Sequence, residues 1–282
     1  MQSQIKGYLN DPYRVFYNIG VPAQEVAPHY HDFRKIVILL DGEIGYMVED
    51  RRYELRAGSV VFVDAGQIHR PLLNKNSIYE RIIIYLSDEF MHSRQGLMAG
   101  FEIARQRDTC AFAAEELMML VSAQASLLTD KACAGSSAPL ALQESRLTQF
   151  LIMAGDIIRG SDNGPGAPAS VSPMVRDVID YIEDNLTEEM TIDAIAGHVH
   201  LSRGYLMHAF RDETGYTVGD YITDKRLFLA RRLLERGGAA MDAAVSAGFS
   251  TYSSFYRCYK AKYGVNPRET VRSKNIGAKI IE

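Results

Sequence analysis

The chain has 282 residues, 47% of them hydrophobic and 23% charged, and a formal net charge of −4; this is long enough for two cores and excludes both a disordered chain and a strongly basic one that grips nucleic acid indiscriminately. No apolar run approaches the length of a membrane span, and the opening residues MQSQIKGY lack the apolar centre of a secretory signal. Cys110, Cys133 and Cys258 are odd in number, scattered and without C-x-x-C spacing, so a cytoplasmic location is expected, with neither a disulfide frame nor a zinc knuckle.

From about Tyr13 to Leu86 the sequence reads as short strands. Lys35–Leu40, Ser59–Val63 and Arg81–Leu86 are rich in Ile, Val and Tyr, and turn signals fall at Asp41-Gly42, Ala57-Gly58, Ala65-Gly66 and Asn74-Lys75-Asn76. This spacing predicts a β-sandwich or barrel, with Asp41-Gly42 as a hairpin turn. His29 and His31 alternate onto one strand face, and His69 follows in D-A-G-Q-I-H. The side chains expected to share a pocket with the three histidines are Phe33, Lys35, Tyr46 and Tyr85. Histidine and tyrosine hydrogen-bond to hydroxyls and aromatic faces pack on sugar C–H surfaces, whereas Lys35 pairs with an anion; a sugar and an organic acid both remain open. Two alternatives stand beside the pocket: a three-histidine metal site of His29, His31 and His69, and histidines that are merely hydrogen-bonded in a filled barrel.

Ser87-Asp88-Glu89 opens a short helix, its acids suited to the positive end. Two longer helices follow with a 3.6-residue period. Phe112–Leu128 aligns Leu117, Leu120, Val121, Ala125 and Leu128; Leu140–Ile158 aligns Leu147, Phe150, Leu151, Ala154 and Ile158. The stretch 161–172 is a linker by its Gly, Pro and Ser content. It divides a sensor domain, 1–160, from a helical domain, 173–282. In the latter, Val175–Leu186 forms a first helix, Thr191 caps a second, and Ser202 caps a third that ends at Gly215. Leu206 and Phe210 face inward there, leaving Arg203, Gly204, Met207, His208 and Arg211 outside. Val218–Glu235 is a long helix. After Gly248, Ser250 or Thr251 caps a last helix on which Phe255 and Tyr259 share one face, while Tyr252, Ser253, Ser254, Tyr256, Arg257 and Lys260 lie at its front edge or on other faces. From Ser250 onward there are seven Lys and Arg against two Glu, a local excess suited to phosphate contact.

The pattern G-F-S-x-x-S-x-F-x-R-x-Y-K-x-x-Y-G-V-x-P over Gly248–Pro267 resembles the C-terminal signature of the AraC/XylS family of transcription regulators. H-Y-H-D-F-R-K and G-S-V-V-F-V-D-A-G-Q-I-H resemble the two motifs of the cupin barrel that such regulators carry as a sensor. The resemblance implies an α+β multidomain protein: a cupin-like N-terminal β-barrel with a helical dimerisation segment, then an all-α double helix-turn-helix domain. It implies a non-enzymatic, effector-responsive regulator, an activator of genes for sugar or related catabolism in the family's pattern, with promoter DNA, a homodimer partner and RNA polymerase as partners, no membrane and no cofactor. Base-reading positions carry over to Gly204, Met207 and His208 in the first unit, and to Tyr252, Ser253, Ser254, Tyr256 and Arg257 in the second. Arg203, Arg211 and Lys260 are placed for phosphates. The long helix of 18 residues spans about 27 Å, which with its flanking turns approaches the ~34 Å between major grooves on one duplex face. The sequence departs from the family where metal-binding cupins have Glu and Lys35 stands, and where the second motif has Pro and Asp64 stands. Lys35 opposes a bound divalent ion, and with it the alternative of a cupin metalloenzyme fused to a DNA-binding module; a regulator that takes no effector is a further alternative. Ala240 and Ala243 stand where larger aliphatic residues are usual, which predicts a thinly packed second unit.

Overall fold

A computed structural model of the chain describes residues 9, 11–20, 26–72, 79–129, 133–161 and 169–271. The Asn74–Asn76 turn, most of the 161–172 stretch, and Arg272, Lys274 and Lys279 lie outside them. The chain divides into two compact units, Met1–Ser170 and Val171–Glu282.

Among the described residues the first unit holds nine strands: β1 (Tyr13–Ile19), β2 (Arg34–Asp41), β3 (Glu43–Val48), β4 (Arg51–Arg56), β5 (Val60–Val63), β6 (His69–Leu72), β7 (Glu80–Leu86), β8 (Ala111–Phe112) and β9 (Ala169–Ser170). They form two sheets, in the orders β1-β7-β2-β5-β8 and β6-β3-β4-β9. Strand alternation sorts the larger sheet's side chains into two cores. Ile36, Ile38, Val60, Phe62, Ile82, Ile84 and Leu86 pack beneath helices α1 (Asp88–His92), α2 (Ala99–Gln106), α3 (Glu115–Gln124) and α4 (Pro139–Gly160). Val37, Leu39, Val61 and Val63 instead meet Ile44, Tyr46, Val48, Tyr53 and Leu55 of the second sheet. Both faces of β2, β5 and β7 are therefore covered, which is why these strands read as nearly unbroken apolar runs.

Two local expectations need correction. Asp41-Gly42 does not close a hairpin. β2 pairs with β5 and β7, whereas β3 pairs with β4 and β6. Gly42, at φ 88°, carries the chain from one sheet to the other, because turn chemistry sets a local backbone angle and does not choose the partner strand. The tight hairpin lies one strand later, between β3 and β4, through Glu49 at φ 51° and Asp50. The expected helix Phe112–Leu128 is shorter: Phe112 ends β8, α3 covers Glu115–Gln124, and Ala125–Leu128 is a 3₁₀ turn. Helix α2 was not expected from the sequence. A Cβ on its Gly100 would lie 2.4 Å from the Phe62 ring, and one on Gly155 of α4 would lie 2.7 Å from Ala99. Small residues thus allow α2 to wedge between the sheet and α4. Within the 161–172 stretch, β9 pairs with Arg51 and Arg52 of β4, and Ser172 caps the helix that follows it.

The second unit is helical: α5 (Pro173–Asp184), α6 (Ile192–His198), α7 (Arg203–Thr214), α8 (Val218–Glu235), α9 (Ala240–Ser246) and α10 (Tyr252–Tyr263). Its caps are local and strong. Thr191, Ser202, Thr217 and Thr251 each accept a hydrogen bond from the backbone N–H three residues on, satisfying a donor the helix itself leaves free. Gly215 and Gly264 end α7 and α10 in the left-handed region. α8 packs on both α7 and α10. The small Ala243, Ala244 and Ala247 lie in one core with Leu227, Ala230, Leu234, Phe255, Tyr259 and Tyr263, so the aromatic rings of α10 fill the space that the alanines of α9 leave.

Candidate nucleic-acid interface and effector cavity

On α7, Leu206, Phe210 and Thr214 are buried, and Arg203, Gly204, Met207, His208 and Arg211 are exposed. Arg203 donates to Asp193 on α6 at 3.1 Å, an exposed pair that leaves its guanidinium free to be shared with a phosphate. Tyr205, 59% exposed, also lies on this face; its position beside the N-cap was the signal that could have singled it out. On α10, Phe255, Tyr259 and Tyr263 are buried, while Ser253, Tyr256, Arg257 and Lys260 are exposed. Tyr252 and Ser254 are half-buried, the Tyr252 ring packing 5.8 Å from Phe255 and 6.3 Å from Tyr256. Lys262, by contrast, is held to Asp224 of α8 at 2.7 Å.

The turn into α10 is fixed from below. Gly248 has φ 85°, and a Cβ there would lie 2.7 Å from the Leu186 carbonyl oxygen and 2.9 Å from Arg226 Nε. Arg226 of α8 donates from Nε to the Leu186 carbonyl at 2.8 Å and from Nη2 to the Glu188 carbonyl at 2.6 Å. The loop after α5, the spacer helix α8 and the second helix-turn-helix turn thus meet at one point.

In the first unit, a cavity of about 200 Å³ opens between the sheets. Of the pocket residues expected from sequence, His29, Lys35, Tyr46 and Tyr85 line it. His31, Phe33 and His69 form an aromatic cluster beside them: His31 stacks on Phe33 at 4.5 Å, Phe33 meets Tyr85 at 4.6 Å, and His29 meets His69 at 4.5 Å. Arg81, Tyr79 and the aliphatic Val37, Leu39, Ile44 and Ile83 complete most of the lining. Arg81 was missed because a charge near a strand end reads as solvated. Its place in β7, two residues from Ile83 and four from Tyr85, turns it inward with them.

Electrostatics in this cavity are governed by burial. Lys35 is buried, and desolvation together with the Arg81 charge lowers its amine to about 7. Desolvation, then Lys35, His29 and His31, holds His69 well below the usual imidazole range. Neutral His69 donates from Nδ1 to the Gln67 carbonyl at 3.0 Å, leaving Nε2 to accept from Lys35 Nζ at 3.2 Å. Burial also pushes the Tyr46 phenol up, and Tyr85 to about 12. Both therefore stay protonated donors.

The candidate ligand atoms of His29, His31 and His69 all lie within 4.8 Å of one another, a grouping that could hold a metal ion. Lys35 occupies the His69 nitrogen that would ligate, from the position where a metal-binding cupin carries its carboxylate. Asp64, the other departure, has a structural role: it pairs with Arg34 at 2.8 Å and Arg105 at 3.6 Å.

Residues 195–273 match a family of helix-turn-helix domains and residues 18–79 match the cupin domain. The chain is similar to the HTH-type transcriptional activator RhaS of Shigella sonnei, with 23% identity over 88% of each chain. It is similar to the HTH-type transcriptional activator RhaR of Pectobacterium atrosepticum, with 25% identity over 86% of each. A probable AraC family transcriptional regulator of known structure from Rhodopseudomonas palustris is 32% identical over 36% of this chain and 97% of its own, with a TM-score of 0.33.

Proposed function

This chain belongs to the AraC/XylS family of transcription regulators, and on that premise we propose that it binds promoter DNA as a dimer through α7 and α10, under the control of a small metabolite held in the cavity of its cupin unit. The observation that carries this reading is the pair of capped helices at either side of one spacer, α8, each with its apolar face buried and a polar, partly basic face open to solvent. A helix-turn-helix enters the major groove by the N-terminal end of such a helix. Arg203, Arg211 and Lys260 serve phosphates; Arg257, Tyr256, Ser253 and the half-buried Tyr252 and Ser254 read bases on α10. Gly204 brings no side chain to a base and Met207 only an apolar contact, so Tyr205 and His208 supply the polar groups of α7. Relatives named as activators support activation, with RNA polymerase as the further partner, and the cytoplasm as the location. Among the described residues no helix is long and apolar enough to cross a membrane. The effector is a small metabolite, a sugar or an organic acid, and the chain acts by binding rather than by catalysis.

The test is selection of DNA from a random pool, then anisotropy titration of the selected site. Direct-repeat half-sites about one helical turn apart are expected. Arg257→Ala should weaken binding to the selected site by about 1–3 kcal/mol and relax preference within one half-site. Unchanged affinity removes α10 from the interface.

A further inference from the structure

We propose that the ligand of the cupin cavity is a carboxylic acid, bound as its anion with Arg81 as the principal anchor. This deepens, and rests on, the reading of the cavity as an effector site.

Arg81 and Lys35 both line the cavity, and its described lining contains no Asp or Glu. Lys35 is directed at His69, a neutral group. Arg81 lies over the Tyr79 ring at 4.1 Å, which fixes its guanidinium plane, and its buried Nη1 has no hydrogen-bond partner. The buried Tyr46 hydroxyl is likewise without one. A guanidinium, an amine and a phenol thus converge on one space with donors to spare and no carboxylate among the described lining. Desolvated charges of one sign are costly unless an opposite charge joins them. A carboxylate supplies that charge and two acceptor oxygens, in the planar geometry a guanidinium binds best. A neutral sugar supplies acceptors but leaves the Arg81 guanidinium uncompensated. Size bounds the rest of the molecule. An apolar cavity of about 150 Å³ holds benzene, so about 200 Å³ takes a ring or short chain together with its carboxylate. Val37, Leu39, Ile44 and Ile83 offer that body an apolar wall.

An apolar acid and a sugar acid share this chemistry, and four probes separate them: benzoate against benzamide, and glucuronate against glucose. Each is titrated into the full-length protein by calorimetry and thermal shift. At least one acid should raise the melting temperature and bind about tenfold or more tightly than its neutral counterpart. Arg81→Gln should remove that preference, and Arg81→Lys should restore part of it. Tyr46→Phe, which leaves the guanidinium in place, should weaken the acid less than Arg81→Gln does. Should Arg81→Gln not fold, the acid–neutral comparison on the unaltered protein decides alone. If a neutral probe binds as tightly as its acid, the anion assignment is overturned while the effector cavity stands. If no probe binds, both are overturned.

Discussion

Lys35 is a cation enclosed with His69, His29, Tyr46, Tyr85 and Arg81, and its cost to the fold depends on pH. Burial and Arg81 lower its amine from 10.5 to about 7, while His69 is already neutral and Tyr46 and Tyr85 titrate far higher. Between those two values the unfolded chain binds the proton more readily than the folded one, so stability rises with pH across that window. The penalty is fully present below about 7 and gone by 10.5. Lys35→Met should therefore be more stable than the unaltered protein at about pH 6, with the gap shrinking by about pH 9, as read by urea unfolding. A gap independent of pH would mean that the ammonium is solvated. At this scale the sequence was readable wherever chemistry is local. Ser202, Thr191 and Thr251 declare themselves as caps because the bond they make spans three residues. Arg81 did not, because only the register of β7 between β1 and β2 decides that it faces the cavity.

Among the elements, the turn between α9 and α10 is tightly constrained. Gly248 combines a positive φ with a backbone oxygen 2.7 Å from where a Cβ would stand. Gly248→Ala should cost about 2 kcal/mol or more in unfolding free energy, and lower DNA affinity by shifting α10. The same substitution at Gly204, where a Cβ meets nothing within 4 Å, should instead stabilise by up to about 1 kcal/mol. Chemical denaturation of the two variants checks both signs. Helices with a clean apolar period, α4 and α8, were read nearly end to end. α2 escaped because Gly96, Gly100 and the alanines around them look like a loop until Phe62 and α4 are in place to be packed against. Asp41-Gly42 misled for the converse reason: its turn chemistry is genuine, but the strands on either side belong to different sheets.

For the molecule as a whole, α3 and α4 leave apolar side chains on the surface of the first unit. Met119 is 64% exposed and Leu140 75%, with Met118 and Met153 also in solvent. Exposed apolar groups gathered on packed neighbouring helices are what a subunit contact buries. Sedimentation should show a concentration-dependent dimer, and Met119→Glu with Leu140→Glu should shift it to monomer while leaving the melting profile of each monomer intact. Loss of one subunit's phosphate contacts should also flatten the salt dependence of DNA binding. A persistent dimer places the contact elsewhere.

The Leu186 carbonyl has a reach beyond its own loop. It receives Arg226 and lies against Gly248, so the peptide after α5 acts as a shared footing for segments far apart in sequence. Lengthening that loop by a residue would tilt the distant reading helix without altering a single group that touches a base. Natural variation in operator spacing should accordingly be sought in the length of 185–190, and not only on the surfaces of α7 and α10.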